Sequence, residues 1–254
     1  MRARPAMASA LMGAASGDSC RRQQAGGAIV IHARLFDLEC LAGSLARGEA
    51  FLDRGERDRA ARFCKADLRR RYLLAHAALR MTLSEAVGCH PAELSFERSA
   101  LGKPRLVLNS GVPFSFSFSH SGAYAVVAYG ECRDIGADVE VRRKIDRPRA
   151  LSEAIMSPRE HSCPLQHDSW SLIRIWAVKE AILKATGEGL SRSMTDVSLS
   201  AAPPNAPILD QLEGDDGPGS WRLAFEEPEP GVALALAVRT EDAPVEFHLE
   251  VARS

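Results

Sequence analysis

The sequence predicts an α+β protein of two similar halves, each a small antiparallel sheet packed by a long helix, with the functional site between them. Three observations carry this. Short stretches such as 114–119 (FSFSFS) alternate strictly, as strands with one buried face do. Two longer segments, 56–87 and 169–186, read as helices and are followed by glycines. The order helix, strands, helix, strands occurs roughly twice, with a boundary near 140–150 and no direct sequence repeat. The 254 residues suit one large domain or two small ones. We divide them into an extension 1–28, a first half 29–145 and a second half 146–254.

Residues 1–28 are rich in Ala, Arg, Ser and Gly, with a short and interrupted apolar part, and read as a disordered or misassigned extension. Residues 29–38 (IVIHARLFDL) read as an opening strand. In 56–87, Leu68, Tyr72, Ala75, Leu79, Leu83 and Ala86 recur at three- and four-residue spacing and make one apolar stripe, stopped by Gly88 and Pro91. The cations of the same segment, from Arg57 through Arg71 to Arg80, form either a solvated face or an anion site. In 114–119 the phenylalanines face one way and the serines the other. A second strand follows at 124–129 and a third at 134–141, with 120–123 of hairpin length between the first two, so an antiparallel meander is expected. Residues 169–186 form a helix ended by Gly187 and Gly189; 201–220 is loop-like; 221–226 and 232–239 form a last hairpin.

Composition excludes several classes. With 32 Lys and Arg against 33 Asp and Glu the net charge is −1, which argues against a globally basic nucleic-acid binder, and 6% aromatic content argues against a stacking platform. The uncharged stretch 111–130 is studded with serine, so no membrane span is expected. The cysteines at 20, 40, 64, 89, 132 and 163 form no CxxC pair and fit reduced, mostly buried thiols of a cytoplasmic protein. His161, Cys163 and His167 are irregularly spaced and do not read as a zinc site.

Four constellations carry possible chemistry. Asp138 and Glu140 lie two apart on a strand, hence on one face, with Cα atoms about 6.5–7 Å apart. They are either exposed acids or paired oxygen ligands suited to Mg²⁺ or Mn²⁺. Glu180 and Lys184, at i and i+4 on a helix, are either a surface ion pair or a third carboxylate and a cation completing a metal–phosphate site. Ser119-His120-Ser121-Gly122 is a polar turn or a phosphate cradle. Gly102-Lys103-Pro104 is a turn presenting a lysine and is not a P-loop.

Taken together and in this order, the elements resemble the 4′-phosphopantetheinyl transferase family. They are the basic segment Arg59–Arg71, Gly102-Lys103-Pro104, the strand ending Ser119-His120-Ser121-Gly122, Gly136-Ala137-Asp138-Val139-Glu140, and Trp176-Ala177-Val178-Lys179-Glu180-Ala181-Ile182-Leu183-Lys184. Met156-Ser157-Pro158-Arg159-Glu160 and Gly187-Glu188-Gly189-Leu190 are similar to minor family elements. The resemblance covers roughly residues 30–200, and the length resembles the larger, monomeric, pseudo-dimeric class.

The resemblance implies transfer of 4′-phosphopantetheine from coenzyme A to a serine of an apo acyl or peptidyl carrier protein, with release of 3′,5′-ADP. It implies that Asp138, Glu140 and Glu180 bind Mg²⁺, that Glu180 deprotonates the serine, and that Lys184 stabilises charge at the pyrophosphate. By the same analogy Arg59, Arg71, Lys103, Ser119 and His120 contact the coenzyme phosphates. This chain carries Glu56 where relatives have a further basic residue. Val139 between the acids is expected to pack inward, and the basic cluster Arg142, Arg143, Lys144, Arg147 and Arg149 to steer an acidic carrier. The competing readings are a non-catalytic coenzyme A or carrier binder and a hydrolase of the coenzyme A pyrophosphate. Three acids with a lysine argue against the first, and the lack of a dense acidic helix against the second.

Overall fold

Two β-sheets packed face to face form the centre of the molecule, and a long helix closes each outer side. The computed structural model describes residues 28–108, 111, 113–161, 168–200, 208–214, 220–240 and 243–252. Residues 1–27, and Cys163 and His167 of the 161–170 stretch, lie outside the described residues. In chain order the elements are β1 (Ile29–Asp37), α1 (Leu45–Glu49), α2 (Arg54–Ala61), α3 (Ala66–Val87), β2 (Phe96–Arg98), β3 (Pro104–Leu106), β4 (Ser115–Ser121), β5 (Tyr124–Gly130) and β6 (Asp134–Val141). The chain continues through α4 (Pro148–Ile155), α5 (Pro158–His161), α6 (Ser169–Thr186), β7 (Val197–Ser200), β8 (Ile208–Leu212), β9 (Trp221–Glu229), β10 (Val232–Arg239) and β11 (Val245–Ala252). The architecture is α+β, with sheet orders β11-β1-β5-β4 and β6-β10-β9 and two short hairpins, β2-β3 and β7-β8.

The layers follow from side-chain alternation. Ile31, Ala33 and Leu35 of β1 with Val126 and Ala128 of β5 pack against Ile135, Ala137 and Val139 of β6 and against β10. The opposite faces of β1, β4 and β5, through Phe36, Phe116, Ala125 and Val127, receive Leu74, Ala75, Leu79 and Leu83 of α3. On the far side, Ala233, Ala235 and Ala237 of β10 receive α6. Helix α6 is buried over most of its circumference: Trp170, Leu172, Ile173, Ala177, Val178, Ala181, Ile182 and Leu183 supply apolar surface, and Lys179 and Glu180 are buried among them. Asp168 caps its first turn by accepting the Ser171 N–H (2.7 Å), and Gly187 in the left-handed conformation ends it.

Six expectations need correction. The stretch 201–220 is not all loop, since Ile208–Leu212 is β8, and 114–119 is buried on both faces, since Ser117 and Ser119 are buried as well as Phe116. The helical stretch 56–87 is two helices, because Lys65 is extended and separates α2 from α3. Leu68 is not part of the buried stripe and stands 45% exposed. The three strands β4, β5 and β6 are not a meander: the second edge of β5 is taken by β1, so β6 pairs with β10 instead. The described cysteines are not mostly buried, since Cys40 and Cys64 are exposed and only Cys132 is fully buried. Strand β11 adds a parallel partner to β1, turning Val245, Phe247, Leu249 and Val251 toward the central core. The two stretches of chain thus exchange strands, with β11 beside β1 and β6 beside β10.

Candidate active site

Strand β4 meets β6 through its serines. The Ala137 N–H donates to Ser117 Oγ (2.8 Å), Ser119 donates to Asp138 Oδ1 (2.7 Å) and Ser121 donates to Glu140 Oε2 (2.7 Å). The alternation in 114–119 therefore has a positional purpose: one face fills the core under α3 and the other fixes the acids of β6. Val139 points into the central core at 1% exposure, leaving Asp138 and Glu140 on the opposite face.

That face is covered by α6. A Cβ on Gly136 would lie 1.8 Å from the Ala181 carbonyl oxygen, so only glycine admits the helix this close. The approach brings Lys184 onto Asp138, with Nζ 2.6 Å from Oδ1 and 3.3 Å from the Ala137 carbonyl oxygen. Glu180, one turn earlier on α6, is buried beside the same acids. Arg143 donates to Glu140 Oε2 (2.6 Å), a contact the sequence reading does not anticipate.

The electrostatics of the three acids are coupled. Burial pushes the Asp138 carboxyl up, opposed by Lys184 and Ser119 and reinforced by Glu140. Burial likewise pushes Glu180 up, opposed by Lys184 and reinforced by Asp138 and Glu140. Asp138 Oδ2 is buried with no hydrogen-bond partner. An orphaned carboxylate oxygen among mutually repelling buried acids fits a divalent cation with oxygen ligands. Among the described residues no three acidic, His or Cys side chains already meet as a closed cage. Lys184 and Arg143 hold oxygens of Asp138 and Glu140 instead.

The remaining candidates fall into two sets. Lys103 Nζ donates to the carbonyl oxygens of Ile135 and Ala185 (both 3.0 Å), strapping its turn across the seam of β6 and α6. Burial brings its ammonium down to about 8. A cavity of about 480 Å³ opens there, walled by the Gly102-Lys103-Pro104 turn, Phe116 to Phe118, Lys184 and Gly187 to Gly189. Ser119 joins this region through Asp138. His120 is exposed at the end of β4; partial desolvation and the nearby positive groups Lys184 and Arg59 push its imidazole down. Arg71 is held elsewhere, its Nε donating to Glu39 Oε1 (2.9 Å) while Arg70 donates to Oε2 (2.7 Å). Glu56 turns inward, capping α2 and accepting from Arg80 Nε (2.7 Å), with His76 Nδ1 at 3.1 Å.

Comparison with known proteins points to one family. Residues 134–237 match the model of the 4′-phosphopantetheinyl transferase superfamily, and residues 44–132 match that of the N-terminal part of a 4′-phosphopantetheinyl transferase. The 4′-phosphopantetheinyl transferase HetI of Nostoc sp. is 30% identical over 74% of this chain and 79% of its own. A 4′-phosphopantetheinyl transferase of Bacillus subtilis is 28% identical over 87% of this chain and 90% of its own. The 4′-phosphopantetheinyl transferase Sfp of Bacillus subtilis strain 168 is 24% identical over 77% and 85%.

Proposed function

The chain belongs to the 4′-phosphopantetheinyl transferase family, and from that premise we propose that it moves 4′-phosphopantetheine from coenzyme A to a serine hydroxyl of an apo acyl or peptidyl carrier protein, releasing 3′,5′-ADP. The observation that supports this most is the 2.6 Å contact between Lys184 of α6 and Asp138 of β6, with Glu180 one turn away on the same helix. It joins the two motif segments of the sequence into one acidic, cation-bearing centre beside a cavity.

Asp138, Glu140 and Glu180 would hold Mg²⁺ or Mn²⁺. When bound, such an ion neutralises charge on the pyrophosphate of coenzyme A. The chain's own groups do the rest. Glu180 takes the proton of the carrier serine, directly or through water, as the hydroxyl oxygen attacks phosphorus and the bond to 3′,5′-ADP breaks. A carboxyl raised by burial is the more basic for this. Lys184 balances charge at the pyrophosphate and on the leaving group. Lys103 walls the cavity, and Ser119, His120 and Arg59, which do not, are read with it as contacts of the coenzyme phosphates. Arg71 joins them only by leaving Glu39.

The carrier is read as docking on the exposed cluster that follows β6 and comprises Arg142, Arg143, Lys144, Arg147 and Arg149. Within it Arg142 lies over the Trp170 ring (5.2 Å) and Arg143 is committed to Glu140, so Lys144 and Arg147 are the better probes of docking. The protein is read as acting as a monomer built of the halves 29–145 and 146–254. No described helix is long and apolar enough to cross a membrane. The test is to mix protein, coenzyme A, Mg²⁺ and an apo carrier and weigh the carrier. A gain of one phosphopantetheine, abolished by EDTA, is expected; an unchanged carrier together with free 3′,5′-ADP would favour hydrolysis instead.

A further inference from the structure

Lys179, next to Glu180 on α6, is fully buried and plays no part in the chemistry above. Its Nζ donates to Glu160 Oε2 (2.5 Å) and to the carbonyl oxygens of Ile155 (2.6 Å) and Val197 (2.6 Å), with that of Met194 at 3.2 Å. Glu160 also accepts the N–H groups of Ser157 (2.7 Å) and Leu199 (3.0 Å). One ion pair therefore ties α6 to the end of α4, to α5, to the turn at Met194 and to β7.

Stability alone does not account for such a pair, because apolar residues of equal volume commonly serve a core as well or better. Its location is more telling. Lys179 anchors α6 to the second half, and Ala181, against Gly136, anchors it to β6. Glu180 lies between these two anchors in sequence. A side-chain terminus stands about 5–6 Å from a helix axis, so a turn of about 10° moves it by about 1 Å. A displacement of about 1 Å can cost on the order of 100-fold in rate.

We propose that the Lys179–Glu160 pair is a positioning clamp that fixes the rotation of α6 and thereby aims the Glu180 carboxylate at the reacting serine. This rests on the reading of Glu180 as the base.

The test uses the full chain with coenzyme A, Mg²⁺ and an apo carrier, comparing wild type with Lys179→Met, Glu160→Gln and the double variant. Lys179→Met leaves Glu160 charged and buried, so its melting temperature falls. The double variant removes both charges and recovers most of that loss. If the pair positions Glu180, kcat of the double variant stays at least about tenfold below wild type while KM for coenzyme A changes by no more than about twofold. Glu160→Gln alone, the mildest change, gives the same kcat-only loss to a smaller degree and serves if Lys179→Met does not fold. Recovered melting temperature with wild-type kcat in the double variant, or wild-type kcat in Glu160→Gln, overturns the clamp. An inactive wild type would instead overturn the transferase reading, so the two failures are distinct.

Discussion

Gly136 of β6 and Ala181 of α6 touch backbone to backbone, and a side chain of even one carbon at Gly136 would overlap the Ala181 carbonyl. This contact sets the depth at which the helix carrying Glu180 and Lys184 lies on the strand carrying Asp138 and Glu140. Gly136→Ala is therefore expected to destabilise the protein by about 1–3 kcal/mol or more and to lower kcat further than the melting temperature explains. Thermal unfolding and single-turnover transfer measured on the same sample check this.

Glu180 and Asp138 carry a stability cost at neutral pH. A carboxyl raised in the folded state is charged against the preference of its site, so the cost is full above the folded value and disappears as pH falls below about 4.3, the unfolded Glu value. Glu180→Gln should melt higher than wild type at pH 7–8 without added metal, and the gap should close toward pH 4. Added Mg²⁺ should raise the wild type more than the variant. Transfer should fall by roughly 100-fold or more. Calorimetry across pH gives the sign directly.

Lys103 is charged below about pH 8 and neutral above it, because burial lowers its ammonium. If that charge binds a coenzyme phosphate, KM for coenzyme A rises as pH passes 8. In Lys103→Met, KM is raised already at pH 7 and no longer changes over that range. Initial rates at varied coenzyme A and pH separate the two patterns.

Arg80 is buried and wholly committed, to Glu56 Oε2 (2.7 Å), Asp53 Oδ2 (2.8 Å) and the carbonyl oxygens of Pro91 and Leu94 (both 3.1 Å). Burial works to raise Glu56, but His76, the Asp53 N–H and Arg80 hold its carboxyl low. Arg80→Met strands these acceptors and should cost about 3–5 kcal/mol in denaturant unfolding. Glu56 is thus a structural acid of this chain.

Lys144→Glu with Arg147→Glu should slow transfer to an acidic carrier chiefly through association, with the deficit shrinking as salt is raised. Equal rates for variant and wild type at low salt would remove the docking role of the cluster.

What was legible in the sequence is what local pattern controls. The faces of β4 and β6 follow from strict alternation, and α6 runs over 169–186 because Asp168 and Gly187 cap it. Lys184 meets Asp138 (2.6 Å), a pairing that the family resemblance implied and that spacing alone left open. Edge choice was not legible: whether β6 joins β5 or β10 depends on β1 and β11, distant in sequence, claiming the other edge. Arg71 looked free because its partner Glu39 precedes it by 32 residues. The cage of Lys179 is made largely of backbone carbonyls, which have no sequence signature.

The proposed reaction requires one divalent ion shared by carboxylates of β6 and α6. Anomalous diffraction from crystals grown with Mn²⁺ and coenzyme A tests it most directly. A single strong peak bounded by Asp138, Glu140 and Glu180 is expected, with Lys184 shifted from Asp138 Oδ1 toward the pyrophosphate. A peak elsewhere, or one that leaves Glu180 outside the coordination sphere, would contradict it.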